Sequence, residues 1–152
     1  MRELLFRGFH PCDGPEIIVV DGEKVVGRWV QGSLVSFADG GRAILPSKTV
    51  VLQQEGTTLL STKESLEVIP STVGQYTGLK DKNGKRIFEG DIICWIDWRN
   101  DQRKSPVCYD SEWQRFCVWL NGAESMGVNK HLSTGGIEVI GTVFDEEAQH
   151  DN

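Results

Sequence analysis

Residues 92–98, IICWIDW, constrain the fold more than any other part of this chain. The alternate positions are Ile92, Cys94, Ile96 and Trp98 on one side and Ile93, Trp95 and Asp97 on the other. The run is too short for a buried helix and is rich in β-branched and aromatic residues, so it reads as a strand. Both faces are largely apolar, which predicts burial on both sides for most of its length. Such a strand needs hydrogen-bonding neighbours and a cover, so the rest of the chain is expected to be β-rich.

The remainder fits that requirement. Short β-prone runs are separated by Gly, Asp, Asn and Pro, and helical signals are scarce. Strands are expected over 2–7, over Glu16 to Val20 and Lys24 to Phe37 with a break at Asp21-Gly22, and over Arg42 to Leu45, Val50 to Gln53 and Thr57 to Leu60, the last two around Glu55-Gly56. Ser65 to Ile69 runs extended, and Ser71 is placed to cap one helical turn over Thr72 to Tyr76 that Gly78 would end. Asp81-Lys82-Asn83-Gly84-Lys85 is a turn signal of the type I′ kind, and Glu89-Gly90-Asp91 is a second corner. Arg99 to Lys104 reads as a charged loop. Val107 to Tyr109 and Trp113 to Leu120 read as a hairpin, Ser125 to His131 as a short helical turn, and Ile137 to Phe144 as a closing strand.

The predicted fold class is therefore mainly β. An N-terminal β-rich subdomain covers 1–76, a small SH3-like β-barrel covers 77–146, and an acidic tail expected to be disordered covers 147–152.

Composition excludes several classes. Of the 152 residues, 39% are hydrophobic and 25% charged, which is ordinary for a folded soluble chain. No apolar run approaches the ~18 residues of a membrane span, and the N-terminus lacks a signal-peptide pattern, so a cytoplasmic location without membrane contact is expected. The net charge is -6. Seven cationic residues face nine anionic ones over 1–76, seven face five over 77–104, and two face eight over 105–152. Only the middle segment is basic, which disfavours broad binding to a polyanion. Cys12, Cys94, Cys108 and Cys117 form no C-x-x-C pair and are expected to be free thiols, not zinc ligands.

The stretch GLKDKNGKR superficially suggests a phosphate-binding loop. However, five residues separate Gly78 from Gly84, Arg86 stands where a hydroxyl is needed, and a β-rich run follows in place of a helix. Its basic cluster reads first as a solvated hairpin tip; the alternative is a contact surface built from Lys82, Lys85 and Arg86, with Lys80 nearby and Asp81 and Glu89 weakening the local field. Most aromatic residues of the last third (Phe88, Trp95, Tyr109, Trp113, Phe116 and Trp119) are expected in the core. Trp98, at a strand end beside Arg99, Asn100 and Asp101, is the candidate interface anchor or base-stacking platform. No nucleophile signature, metal framework or fixed carboxylate pair is present, so catalytic and cofactor residues are read as none.

The blocks MRELLFRG, WVQGSLV, VGQYTGLKDKNGKRIFEGDII and IEVIGTVFDE occur in the order in which they stand in the YopX family of phage and prophage proteins, and the chain resembles that family over residues 1 to 146. The resemblance implies a phage or prophage origin, a C-terminal SH3-like barrel, and self-association, with a trimer as one form. It implies no catalytic residues. The functional expectation is a non-catalytic accessory protein that acts through contacts with itself or with a host or phage protein. The alternative is a nucleic-acid-binding module using the basic hairpin and Trp98. A metal-dependent hydrolase or nuclease would have only scattered carboxylates to work with.

Overall fold

In the computed structural model, residues 3–46, 51–54, 57–60, 65–120, 122, 124–133 and 135–150 are described. The chain is mainly β, with several antiparallel sheets and one short helix. A long hairpin opens it, made of β1 (Phe6–Val20) and β2 (Glu23–Ser36). Its turn is Asp21-Gly22, both at positive φ, as a two-residue type I′ turn demands. Phe6 and Arg7 of the expected strand at 2–7 and the whole of the expected strand at 16–20 are thus parts of one strand, while residue 2 lies outside the described residues. Pro11 and Glu16 both pair with Gly27, and Cys12 to Pro15 bulge out between them.

Next come β3 (Arg42–Pro46), a separate hairpin of β4 (Val51–Gln54) and β5 (Thr57–Leu60), and β6 (Leu66–Val68). The expected turn residues Glu55 and Gly56 lie outside the described residues. Pro70–Thr72 form a single 3₁₀ turn. This corrects the expected helical turn over 72–76: Ser71 does not cap it, because Pro70 starts it and Gly74 already lies in the next strand. That strand, β7 (Gly74–Lys80), runs across the expected boundary between 76 and 77. With β8 (Arg86–Phe88) it completes a six-stranded sheet of order β6-β3-β2-β1-β7-β8. A side chain at Gly74 would meet the Glu89 carbonyl oxygen at 2.3 Å, so glycine is needed for the sheet to lie this close to the corner.

The second half contributes two three-stranded sheets. One has the order β10-β9-β14, from β9 (Asp91–Ile96), β10 (Gln102–Pro106) and β14 (Glu138–Thr142). The other has the order β11-β12-β13, from β11 (Cys108–Asp110), β12 (Arg115–Leu120) and β13 (Glu124–Gly127). Three expectations change here. Half of the charged loop 99–104, Gln102 to Lys104, belongs to strand β10, because Gln102 to Pro106 pair with Ile92 to Ile96 and supply the neighbour that β9 requires. Residues 124–127 are a strand and not a helical turn, since Leu120 to Cys117 pair with them. The β9 strand is buried on one face only: Ile93 and Trp95 are in the core, whereas Ile96 is exposed. The tail is also corrected. Glu146–His150 form a short helix, α1, and Lys24 Nζ lies 2.9 Å from Glu146 Oε1; residues 151–152 lie outside the described residues. Among the described residues the strands form no closed hydrogen-bonded ring.

The core has two main parts. Ile87, Ile93, Trp95, Val107, Phe116, Val118, Leu132 and Ile137 fill the second half. Val30, Ile44 and Val68 pack under the first sheet. The seam between them centres on Arg7. Its Nη1 lies 2.7 Å from Asp91 Oδ1, with both side chains buried. The guanidinium sits 4.6 Å from the Trp29 ring centre and 4.8 Å from that of Phe88. Asp91 Oδ2 accepts the Phe88 N–H at 2.8 Å. Trp29 also meets Phe9 edge-on and Phe144 at a tilt, and Val19 N–H donates to the Phe144 carbonyl.

Burial pushes the Asp91 carboxyl above its usual range, while the Arg7 charge and the Phe88 amide pull it back. Removing one partner leaves the other charge buried and uncompensated. Asp91→Asn is therefore expected to destabilise the fold by about 3–5 kcal/mol. Denaturant unfolding checks this; a loss under about 1 kcal/mol would mean that the pair does not hold the seam.

Candidate functional site

The basic hairpin is built around Asp81, not around its lysines. Asp81 Oδ1 accepts the N–H groups of Asn83 (2.8 Å) and Lys85 (2.9 Å), and Oδ2 accepts that of Val139 (3.1 Å). Gly84 N–H donates to the Asp81 carbonyl, and Asp81 N–H to that of Lys85. Only Gly84 within the turn has positive φ, at 81°. The turn is thus a type I turn closed by a left-handed glycine, which corrects the expected type I′ geometry. A further bond from Lys82 N–H to the Ile137 carbonyl ties the tip to the segment entering β14.

This placement engages two of the three cations. Lys82 Nζ lies 3.1 Å from Glu138 Oε2. Arg86 donates to Gln31 Oε1 at 3.1 Å, lies 3.7 Å from Glu3 and stands over the Tyr76 ring. Lys85 is exposed, and its charge helps to hold Asp81 down. The hairpin tip therefore clasps the two ends of the second half together, and it is not a concentrated positive patch.

Trp98 stands on a second turn of the same design. Asp97 Oδ1 accepts the N–H groups of Arg99 and Asp101, and Asn100 takes the positive φ that Gly84 takes in the first turn. Arg103 Nε anchors the other carboxylate oxygen at 2.8 Å and holds Asp97 below the usual carboxylate range. The turn projects Trp98 outward with 79% of its surface exposed, and Arg99 lies over its ring at 4.5 Å. Trp98, Arg99, Trp95, Leu120, Met126 and His131 border a cleft of about 340 Å³. Lys82, Lys85 and Arg86 are not among the residues that line this cleft.

Sequence reasoning placed Tyr109, Trp113 and Trp119 in the core. The structure exposes 48%, 66% and 43% of them. Trp113 sits in the turn between β11 and β12, where Asp110 Oδ1 accepts its N–H. Only Phe88, Trp95 and Phe116 of that aromatic group are buried. Strand periodicity marks which residues share a face but not which face lacks a cover, so these three carried no sequence signal.

A larger cleft of about 740 Å³ opens between the first sheet and the β11–β12–β13 sheet. Phe6, Arg42, Glu89, Tyr109, Arg115 and Asn129 are among its walls. Burial raises the Glu89 carboxyl. Arg115 Nη2 donates to the Ser125 carbonyl and hydroxyl, while its Nε is buried with no partner among the described residues. No three His, Cys, Asp or Glu side chains among the described residues gather to hold a metal ion. His10 Nδ1 is engaged instead by the Glu67 carbonyl at 2.6 Å. No helix among the described residues is long and apolar enough to cross a membrane.

A mainly β chain with exposed aromatic residues on Asp-organised turns is the class this architecture defines. The family model described as YopX protein matches residues 26–148, and the chain belongs to the YopX family. The opening block MRELLFRG, part of the resemblance, precedes the matched range. No curated protein shows a significant match.

Two outcomes follow from the hairpin. Gly84→Val forces a β-branched side chain into left-handed backbone and is expected to cost about 2 kcal/mol, although open space surrounds the site. Lys85→Ala keeps the backbone donor to Asp81 and should stay within about 0.5 kcal/mol of wild type. Equal, large losses in both variants on denaturant unfolding would contradict this assignment.

Asp81 also predicts a pH response. Burial alone would raise its carboxyl, but the N–H donors of Val139, Lys85 and Asn83 together hold it below its ordinary value of 3.8. A depressed carboxylate stabilises the fold above its unfolded pKa and loses that contribution as pH falls through the folded value. Stability measured from about pH 6 to about pH 2 should therefore decline from near 3.8 downward, less steeply in Asp81→Asn. Equal slopes in the two proteins would remove Asp81 from this role.

Proposed function

We propose that this protein is a non-catalytic phage or prophage accessory protein that works in the bacterial cytoplasm through protein–protein contacts, including contacts with its own copies. The observation that carries this reading is the exposure of Trp98, Tyr109, Trp113 and Trp119. A small β protein gains most by burying such residues, and Trp and Tyr are enriched among the residues that dominate binding at interfaces. Two of the four stand on or beside turns held by Asp97 and Asp110, so they are presented on ordered backbone. The shared core of Ile87, Ile93, Trp95, Val107, Phe116, Val118, Leu132 and Ile137 supports reading 77–146 as a small barrel of SH3-like type. Family membership supports a homo-oligomer, with a trimer as the form to test first.

A second reading, a nucleic-acid-binding module, is favoured by the Arg99–Trp98 stack, which resembles a platform for an unpaired base. Ion pairing of Lys82 and Arg86 and the net charge of -6 weigh against it.

Sedimentation of the full chain across a range of concentrations tests the first reading. The wild type should associate, and Trp98→Ala or Trp113→Ala should weaken association by about 2 kcal/mol or more while leaving the fold intact. A monomer at every concentration would overturn self-association. Titration with single- and double-stranded DNA and RNA at two salt concentrations separates the readings: tight binding that weakens steeply with salt would favour the second.

A further inference from the structure

Cys108 and Cys117 stand directly opposite each other in the β11–β12 register. Their Sγ atoms are 3.1 Å apart. Opposed residues in an antiparallel pair have Cα atoms about 4.5–5.5 Å apart, within the range that a disulfide spans. The sulfurs need to close by only about 1 Å to reach bonding distance. Cys108 is half-buried, Cys117 is fully buried, and the indole N–H of Trp119 points at Cys108 Sγ from 3.0 Å. Among the described residues, Cys12 and Cys94 show no such contact with another thiol.

We propose that Cys108 and Cys117 are a reversible thiol-modification site, which a small-molecule disulfide of the oxidised-glutathione type converts into a cross-strand disulfide. Cys108, the more accessible thiol, loses its proton and its Sγ attacks one sulfur of the small disulfide. That S–S bond breaks, and one small thiolate leaves and takes up a proton. The Cys117 thiol then loses its proton and attacks Cys108 Sγ in the mixed disulfide, releasing the second small thiol. The two cysteines are oxidised by two electrons, and the small disulfide is reduced to two thiols. In the dithiol, burial first and then the contact with Cys108 push the Cys117 thiol up to about 12, and burial, the larger cause, persists in the mixed disulfide. The second step is accordingly the slow one, and it accelerates as pH rises. The new bond ties together the two strands whose connecting turn carries Trp113 and whose residues include Tyr109 and Trp119.

The test uses the reduced full chain in buffers of increasing ratio of oxidised to reduced glutathione. Intact mass, alkylation of remaining thiols and peptide mapping report the products. The expected result is the loss of two hydrogens, a single peptide pair joined through Cys108 and Cys117, and a rise in the denaturant midpoint. Cross-linking should be faster at about pH 9 than at about pH 7. Cys12→Ser and Cys94→Ser should leave it unchanged, and Cys108→Ser should abolish it. Because Cys108 is half-buried, that variant is the primary one, and near-ultraviolet circular dichroism checks its fold. A lasting glutathione adduct on Cys108 without cross-linking, a cross-link through Cys12 or Cys94, or unreacted thiols throughout at high oxidant ratio would each overturn the proposal.

Discussion

The ion pair of Arg7 and Asp91 joins elements that lie 84 residues apart in sequence, and both side chains are withdrawn from water. Such a pair needs its remaining hydrogen-bonding capacity met by well-placed neighbours. The carboxylate is well served, by Arg7 on one oxygen and the Phe88 amide on the other. The guanidinium is served differently: Nε and Nη2 have no polar partner among the described residues, and the faces of Trp29 and Phe88 stand in for one. The first hairpin, the Glu89-Gly90-Asp91 corner and the closing residue Phe144 meet there. The corner in turn receives Val107 and Val143 through backbone hydrogen bonds, so both sheets of the second half are registered against this one contact.

A second device recurs along the chain. An aspartate at the start of a tight turn accepts backbone N–H groups further along, as Asp81, Asp97 and Asp110 all do. In each case a residue near the end of the turn takes positive φ: Gly84, Asn100 and Gln114. These aspartates also account for part of the acidic residue count. A carboxylate committed to backbone amides is a structural part of the turn, so the composition overstates how much negative charge the surface has free for partners.

Much of the fold was legible because turn chemistry is local. Asp21-Gly22, Asn83-Gly84 and Gly90-Asp91 marked real corners, and β-branched runs marked real strands. What could not be read was pairing. QRKSP carries no apolar signal, yet it is a strand because β9 needs a partner along that edge. Ser125 to Gly127 fall within the expected helical turn over Ser125 to His131, and only the register with β12 decides otherwise. The polar tail EEAQH gave no warning of a helix that Lys24 helps to hold. The candidate site was legible in part. Trp98 was picked out because charged neighbours flank it at a strand end. The ion pairs of the basic hairpin carry no sequence signal, since Glu138, the partner of Lys82, and Glu3, the partner of Arg86, come from distant segments.

The six-stranded sheet ends in β6 and β8, each three residues long. An incoming strand would find at either rim only a few backbone groups to pair with, and at β8 it would also meet Arg86. Copies of this chain therefore gain little by adding strands to one another's largest sheet. The self-association proposed above would then use side chains, and not strand addition, wherever it involves this sheet.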